Sequence, residues 1–189
     1  MAANMVNGSG RRGHRWRMAI WGAAAALLLL PWVAMQSGAP GVHWTGSDFV
    51  VMGVILAVAC GTYELGAWMS GNGAYRAAFG VAIVAGFLLV WINLAVGIFG
   101  SEDNIENLMF LGVLVLGGIG ALVARFRPLG MARALEATAL AQVGVATIGL
   151  VMGFGATALL AALFALPWLG SALLFRKAAG ELLGMEVPR

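Results

Sequence analysis

The segment that decides the fold is residues 76–99, which read RAAFGVAIVAGFLLVWINLAVGIF. Its only charged residue is Arg76, at the first position, and nearly all the residues that follow are apolar. A helix that crosses a hydrocarbon layer of ~30 Å needs ~20 such residues, because each residue advances the helix by ~1.5 Å. The segment therefore predicts a membrane-spanning helix.

Five further segments along the chain are apolar for about the length of one span. They are Met18–Met35, Phe49–Ser70, Asn107–Ala124, Gly130–Met152 and Ala156–Phe175. The connections between the segments are short, which favours antiparallel neighbours in one bundle. We predict an all-α polytopic membrane protein with six transmembrane helices in residues 18–177, a basic tail in residues 1–17 and a short tail in residues 178–189.

The composition supports the same class of protein. Hydrophobic residues make up 61% of the 189 residues and charged residues only 10%, so polar side chains are too few to cover a water-soluble globule. The single cysteine, Cys60, excludes an internal disulfide and a Cys-x-x-Cys redox pair. The net charge is only +3 and the basic residues flank apolar runs, so we expect the lipid bilayer as a partner and not nucleic acid.

The basic residues predict the orientation in the membrane. All 11 Lys and Arg residues fall on one side of a six-helix arrangement. Because Lys and Arg in short loops are retained in the cytoplasm during insertion, both termini are predicted to be cytoplasmic. Cleavage of helix one as a signal sequence is the alternative, but its apolar run is longer than the usual ~7 to 15 residues.

Two acids lie within the predicted helices, Glu64 in helix two and Glu136 in helix five. Charges inside a bilayer are costly, so each acid needs an explanation. One interpretation is a carboxylate site near the cytoplasmic face, shared by the two acids, that binds a cation or relays a proton and is tuned by Arg76, Tyr63 or Gln142. The other is structural pairing, in which Arg133 forms a salt bridge with Glu136 one turn away.

Helix three carries Asn93 on a face with small residues. Such an asparagine can form a hydrogen bond to another helix or contact a ligand, and helix pairing is the favoured interpretation. The glycines of helix four and the pair Gly149 and Gly153 of helix five likewise indicate close helix packing.

The outer loop after helix three holds Glu102, Asp103, Asn104 and Glu106. Their oxygen atoms suit calcium or magnesium, although the spacing is not that of an EF-hand and the metal stays unknown. The favoured interpretation is a capping box, with Asp103 as the N-cap of helix four and Glu106 at its third position.

The residues around this loop resemble a known family. The run from Trp91 to Asn104, WINLAVGIFGSEDN, is followed by NLM at residues 107–109. It is similar to a family of small bacterial multi-pass inner-membrane proteins of uncharacterised function, although the family pattern has proline where this chain has Ile105. The resemblance covers about residues 87–135, implies the bacterial inner membrane, and implies no chemistry.

No enzymatic motif is recognisable in the sequence. The two histidines, His14 and His43, lie outside the predicted helices, so a bis-histidine haem inside the membrane is not expected, and we expect no cofactor. We expect a binding or accessory subunit of a membrane assembly, as a homo-oligomer or with other membrane subunits. The alternative is a small ion or proton-coupled transporter that uses Glu64, Glu136 and Asn93.

Overall fold

A computed structural model of the chain describes the backbone of residues 3–186 and the side chains of residues 16–184. All its regular structure is helical within that part of the chain. The elements are α1 (Ala3–Gln36), α2 (Gly46–Met69), α3 (Gly73–Ala95), a 3₁₀ turn (Ile105–Asn107), α4 (Leu108–Val123), α5 (Pro128–Val151), α6 (Ala156–Leu163) and α7 (Ala165–Glu186).

The prediction of an all-α chain with six helices long and apolar enough to cross a membrane is confirmed. These segments are Trp16–Gln36, Gly46–Met69, Gly73–Ala95, Ile105–Val123, Pro128–Val151 and Ala156–Gly184. Helix α1 begins upstream of the first segment and α7 continues to Glu186, so most of both predicted tails is helical. The predictions for residues 1, 2 and 187–189 lie outside the described residues.

The chain divides into two compact units, Met1–Leu65 and Gly66–Arg189. In the first unit, α1 and α2 form an antiparallel hairpin. Arg17 of α1 contacts Glu64 of α2, and Leu28 lies beside Gly53, so residues further along α1 meet residues earlier in α2. This is the arrangement that the short connection predicts.

The second unit is built around α5, which packs against α4, α6 and α7, while α3 packs against α7 and α4. Helices α3 and α4 are antiparallel here too: Tyr75 at the start of α3 binds the carbonyl of Phe126 beyond the end of α4, and Asn93 near the end of α3 binds Asn107 just before α4. Close packing of α4 and α5 depends on Gly120, where a Cβ would lie 2.8 Å from the Cβ of Ala134. Close helix packing, the role predicted for the glycines of helix four, is therefore confirmed at Gly120.

Two of the predicted helices, the third and the sixth, differ from the prediction in their course. Helix α3 ends at Ala95 rather than at Phe99, because Gly97 adopts a φ of +68° and its N–H binds the carbonyl of Asn93. The predicted sixth helix is interrupted at Phe164, which separates α6 from α7. Pro167 accounts for the interruption, because its ring nitrogen cannot donate the hydrogen bond that a continuous helix needs.

In the part of the chain that the structure describes, three helices end with the same pair of backbone hydrogen bonds. At the end of α5, Gly153 and Phe154 donate to the carbonyls of Leu150 and Gly149. The ends of α1 and α4 repeat the pattern, which leaves the residue after the cap in the left-handed region. That residue is Gly38 after α1 and Gly153 after α5, but it is Arg125 after α4, with a φ of +48°.

Candidate functional site

Glu64 is held by two side chains of α1. Arg17 donates from Nε to Oε1 at 2.9 Å and from Nη2 to Oε2 at 3.0 Å, and the indole Nε1 of Trp21 donates to Oε1 at 2.8 Å. A two-pronged arginine–carboxylate pair is directional and stronger than a neutral hydrogen bond. The carboxylate therefore ties the two helices of the first unit together.

The sequence displays no partner for Glu64 in its own helix, and Arg17 falls in the predicted basic tail. A signal was present in the register of the hairpin. Arg17 and Glu64 lie at similar distances along the chain from the connection between α1 and α2, so an antiparallel pairing brings them to the same level. Trp21, one turn after Arg17, then reaches the same carboxylate.

Glu136 also has an arginine partner, but not the predicted one. Arg176 of α7 places Nε and Nη2 each 2.7 Å from Oε1 of Glu136. Arg133 is exposed and forms no ion pair with the described residues. The predicted bridge between Arg133 and Glu136 is wrong because α7 packs along α5 and presents Arg176 to that carboxylate.

The two acids are paired separately. Glu64 belongs to the first unit and Glu136 to the second, and each is bound by an arginine of its own unit. A site shared by both carboxylates stays a prediction.

Gln142 is fully buried in the second unit. Its Nε2 donates to the carbonyl of Ala161 at 2.9 Å, near the interruption between α6 and α7, where Phe164 donates to the same carbonyl. Its Oε1 has no partner among the described residues, and the same holds for the indole Nε1 of the buried Trp168. Gln142 therefore links α5 to α6.

The loop between α3 and α4 is organised by Asn107, which is 4% exposed. Its Oδ1 accepts from the backbone N–H groups of Ile98 and Phe99 at 3.1 and 2.9 Å, and its Nδ2 donates to the carbonyl of Ser101 at 2.7 Å. One side chain therefore binds three backbone groups of the loop, and two of them, the N–H groups of Ile98 and Phe99, follow the end of α3. The sequence places Asn107 at the start of the fourth predicted helix and in the run that carries the family resemblance, with no sign of this role.

Asn93 and Asn104 extend this network. Asn93 donates from Nδ2 to the carbonyl of Asn107 at 3.0 Å, and Asn104 donates to the carbonyl of Phe99 at 2.8 Å. The favoured interpretation of Asn93 as a helix-pairing residue agrees with this contact. Its Oδ1 has no partner among the described residues.

The predicted capping box in this loop is absent. A 3₁₀ turn precedes α4, its N-cap is Asn104 rather than Asp103, and α4 itself begins only at Leu108. Glu102 and Asp103 are exposed, whereas Glu106 is half-buried with Oε2 unpartnered by the described residues. The capping box does not form because helical structure begins only at Ile105, so the cap position falls on Asn104 and Asp103 lies outside it. Within the described part of the chain, no three His, Cys, Asp or Glu side chains are grouped so that they could hold a metal ion together.

The second unit has ends of opposite charge. The contacts between Asn72 and Glu181 and between Tyr75 and Phe126 bring the start of α3, the turn between α4 and α5 and the later part of α7 to one end. Among the residues whose side chains are described, this basic end carries Arg76, Arg125, Arg127, Arg133, Arg176 and Lys177, with Glu136 and Glu181 as its acids. The other end carries Glu102, Asp103 and Glu106, and none of the described lysines and arginines lies there.

No family model matches the chain, and neither a curated protein nor a solved structure matches it. The family resemblance of residues 87–135 therefore stays a prediction.

Proposed function

We propose that this chain is an integral protein of the bacterial inner membrane that acts as a binding or accessory subunit of a membrane assembly and not as an enzyme. The observation that carries the proposal is the pairing of Glu64 with Arg17 and of Glu136 with Arg176. A carboxylate that relays protons or carries an ion must be free to exchange partners. Both acids instead join two helices, which is a structural use of charge.

Native mass spectrometry after release into a mild detergent tests the accessory role. The expected result is an oligomer of this chain or a complex with another membrane protein. A lone monomer, stable at the concentrations found in the cell membrane, would count against the proposal. A chain with Asn107→Ala serves as a control for nonspecific aggregation, because its loop is weakened without changing the charge of either unit.

We further propose that both termini face the cytoplasm. The opposite charges of the two ends of the second unit support this orientation, because a basic end is retained in the cytoplasm. Reporter fusions test it: we expect periplasmic signals after Ser37, Ser101 and Gly155, and cytoplasmic signals after Gly73, Pro128 and Arg189. A cytoplasmic signal from the fusion after Ser101 would refute the six-helix topology.

A small ion or proton-coupled transporter is the second candidate. The unpartnered amide oxygens of Asn93 and Gln142 favour it, since carbonyl oxygens inside a helical protein can bind a cation. Flux through reconstituted protein tests this candidate with Glu64→Gln and Glu136→Gln, and with Asn93→Leu as a third variant. Flux that none of these substitutions changes would reject it.

A further inference from the structure

The turn between α4 and α5 presents two exposed arginines beside exposed apolar side chains. Arg125 and Arg127 are both exposed, and neither forms an ion pair within the described part of the chain. Between them, Phe126 packs into the core of the second unit, and its carbonyl accepts a hydrogen bond of 3.0 Å from the Tyr75 hydroxyl. This anchoring of the middle residue fixes the position of the two arginines relative to the helices.

The arginine at position 125 is costly for the backbone. It adopts a φ of +48°, and Phe126 adopts +56°, both in the region that favours glycine. The equivalent positions after α1 and α5 are Gly38 and Gly153. A glycine at position 125 would end the helix with less strain, so the side chain of Arg125 has a use other than ending α4.

Exposed apolar side chains lie next to the two arginines in the sequence. Leu122, Val123 and Leu129 lie within three residues of Arg125 or Arg127 and are 66%, 79% and 48% exposed. Exposed leucine and valine next to paired guanidinium groups match a molecule with an acyl chain and a negatively charged phosphate. Arginine binds phosphate oxygens through two parallel N–H donors, which makes it well suited to such a headgroup.

We propose that Arg125 and Arg127 form a binding site for an anionic phospholipid, with the phosphate on the guanidinium groups and the acyl chain along the exposed side chains of α4 and α5. The inference rests on the proposed membrane insertion. Flotation of the protein with vesicles checks insertion separately, so failure of the lipid site and failure of the proposed location can be distinguished.

Native mass spectrometry measures the affinity of the site for lipids. The full chain in detergent is titrated with dioleoyl-phosphatidylglycerol and with dioleoyl-phosphatidylcholine, and the ratio of the two affinities is determined. A basic side chain near an anionic surface contributes about a fivefold gain in affinity. We expect the double variant Arg125→Gln and Arg127→Gln to lower the phosphatidylglycerol preference by roughly tenfold or more. Glutamine keeps a long side chain and leaves the backbone strain unchanged.

The matched control is the double variant Arg133→Gln and Lys177→Gln, which removes two exposed charges from the same end of the unit. It is expected to change the preference by less than about threefold, because neither residue lies in the turn. An equal loss in both double variants would show general surface attraction and overturn the site, as would equal binding of the two lipids by the unsubstituted chain. If inorganic phosphate alone displaces phosphatidylglycerol at millimolar concentration, the site is one for a free anion and not for a lipid.

A single substitution distinguishes loss of the lipid site from misfolding of the double variant. Arg127→Gln leaves the strained position untouched and is expected to lower the preference by about fivefold. A normal melting temperature with no loss of preference in this variant would also contradict the proposal.

Discussion

Replacing Asn107 by alanine tests how the loop between α3 and α4 is held. The side chain is buried and makes three hydrogen bonds to backbone groups of Ile98, Phe99 and Ser101. Alanine keeps the backbone conformation of residue 107 but removes all three bonds. The backbone N–H groups of Ile98 and Phe99 then lose their partners in a region that excludes much of the solvent, whereas the carbonyl of Ser101 keeps the hydrogen bond that it accepts from the N–H of Asn104.

The expected cost follows from the number of bonds. Each intramolecular hydrogen bond contributes about 1 kcal/mol, and a buried group left without a partner costs about 1 to 3 kcal/mol. Three bonds therefore predict a loss of about 3 to 4 kcal/mol in the free energy of unfolding. The matched control is Asn104→Ala, which removes one bond of the same loop, to the carbonyl of Phe99, and should cost about 1 kcal/mol.

The free energy of unfolding can be measured in mixed micelles by titration with sodium dodecyl sulfate, followed by circular dichroism and tryptophan fluorescence. We expect the unfolding midpoint of Asn107→Ala to fall well below that of Asn104→Ala. Equal midpoints for the two variants, or a loss below about 1 kcal/mol for Asn107→Ala, would refute the reasoning that one side chain organises the loop.

Three further substitutions test the packing of the second unit by the same measurement. Gly149→Ala should lower the free energy of unfolding by about 1 to 3 kcal/mol, because a Cβ there collides with the ring of Phe99. Gly144→Ala, which has open space around it, should be neutral or stabilising, and equal effects of the two substitutions would contradict this reasoning. Arg125→Gly in zwitterionic lipid should stabilise by about 0.5 to 1 kcal/mol through relief of left-handed strain, and a destabilisation would count against that strain. Gln142→Leu should change stability by less than about 1 kcal/mol, since the lost bond is offset by removal of an unpaired amide oxygen; a loss above about 2 kcal/mol would refute that balance.

The sequence by itself determined the helices of this protein. Runs of apolar residues as long as a membrane is thick leave few alternatives to helix, because only helices and closed barrels satisfy their own backbone groups in lipid. The segments from Phe49 to Ser70 and from Gly130 to Met152 correspond closely to α2 and α5. The antiparallel order of α1 and α2, and of α3 and α4, followed from the short connections.

Only the tertiary structure decided which polar groups meet. Glu64 binds Arg17 and Trp21, and Glu136 binds Arg176, because helix packing brings together residues that are 40 or more positions apart in the chain. Local spacing pointed to Arg133, since nearby positions on one helix are the only pairs that a sequence displays directly. Asn107 likewise looked like an ordinary residue at a helix start. Its importance arises from the left-handed turn at Gly97, which folds three backbone groups toward it, and such a convergence is a property of the folded chain alone.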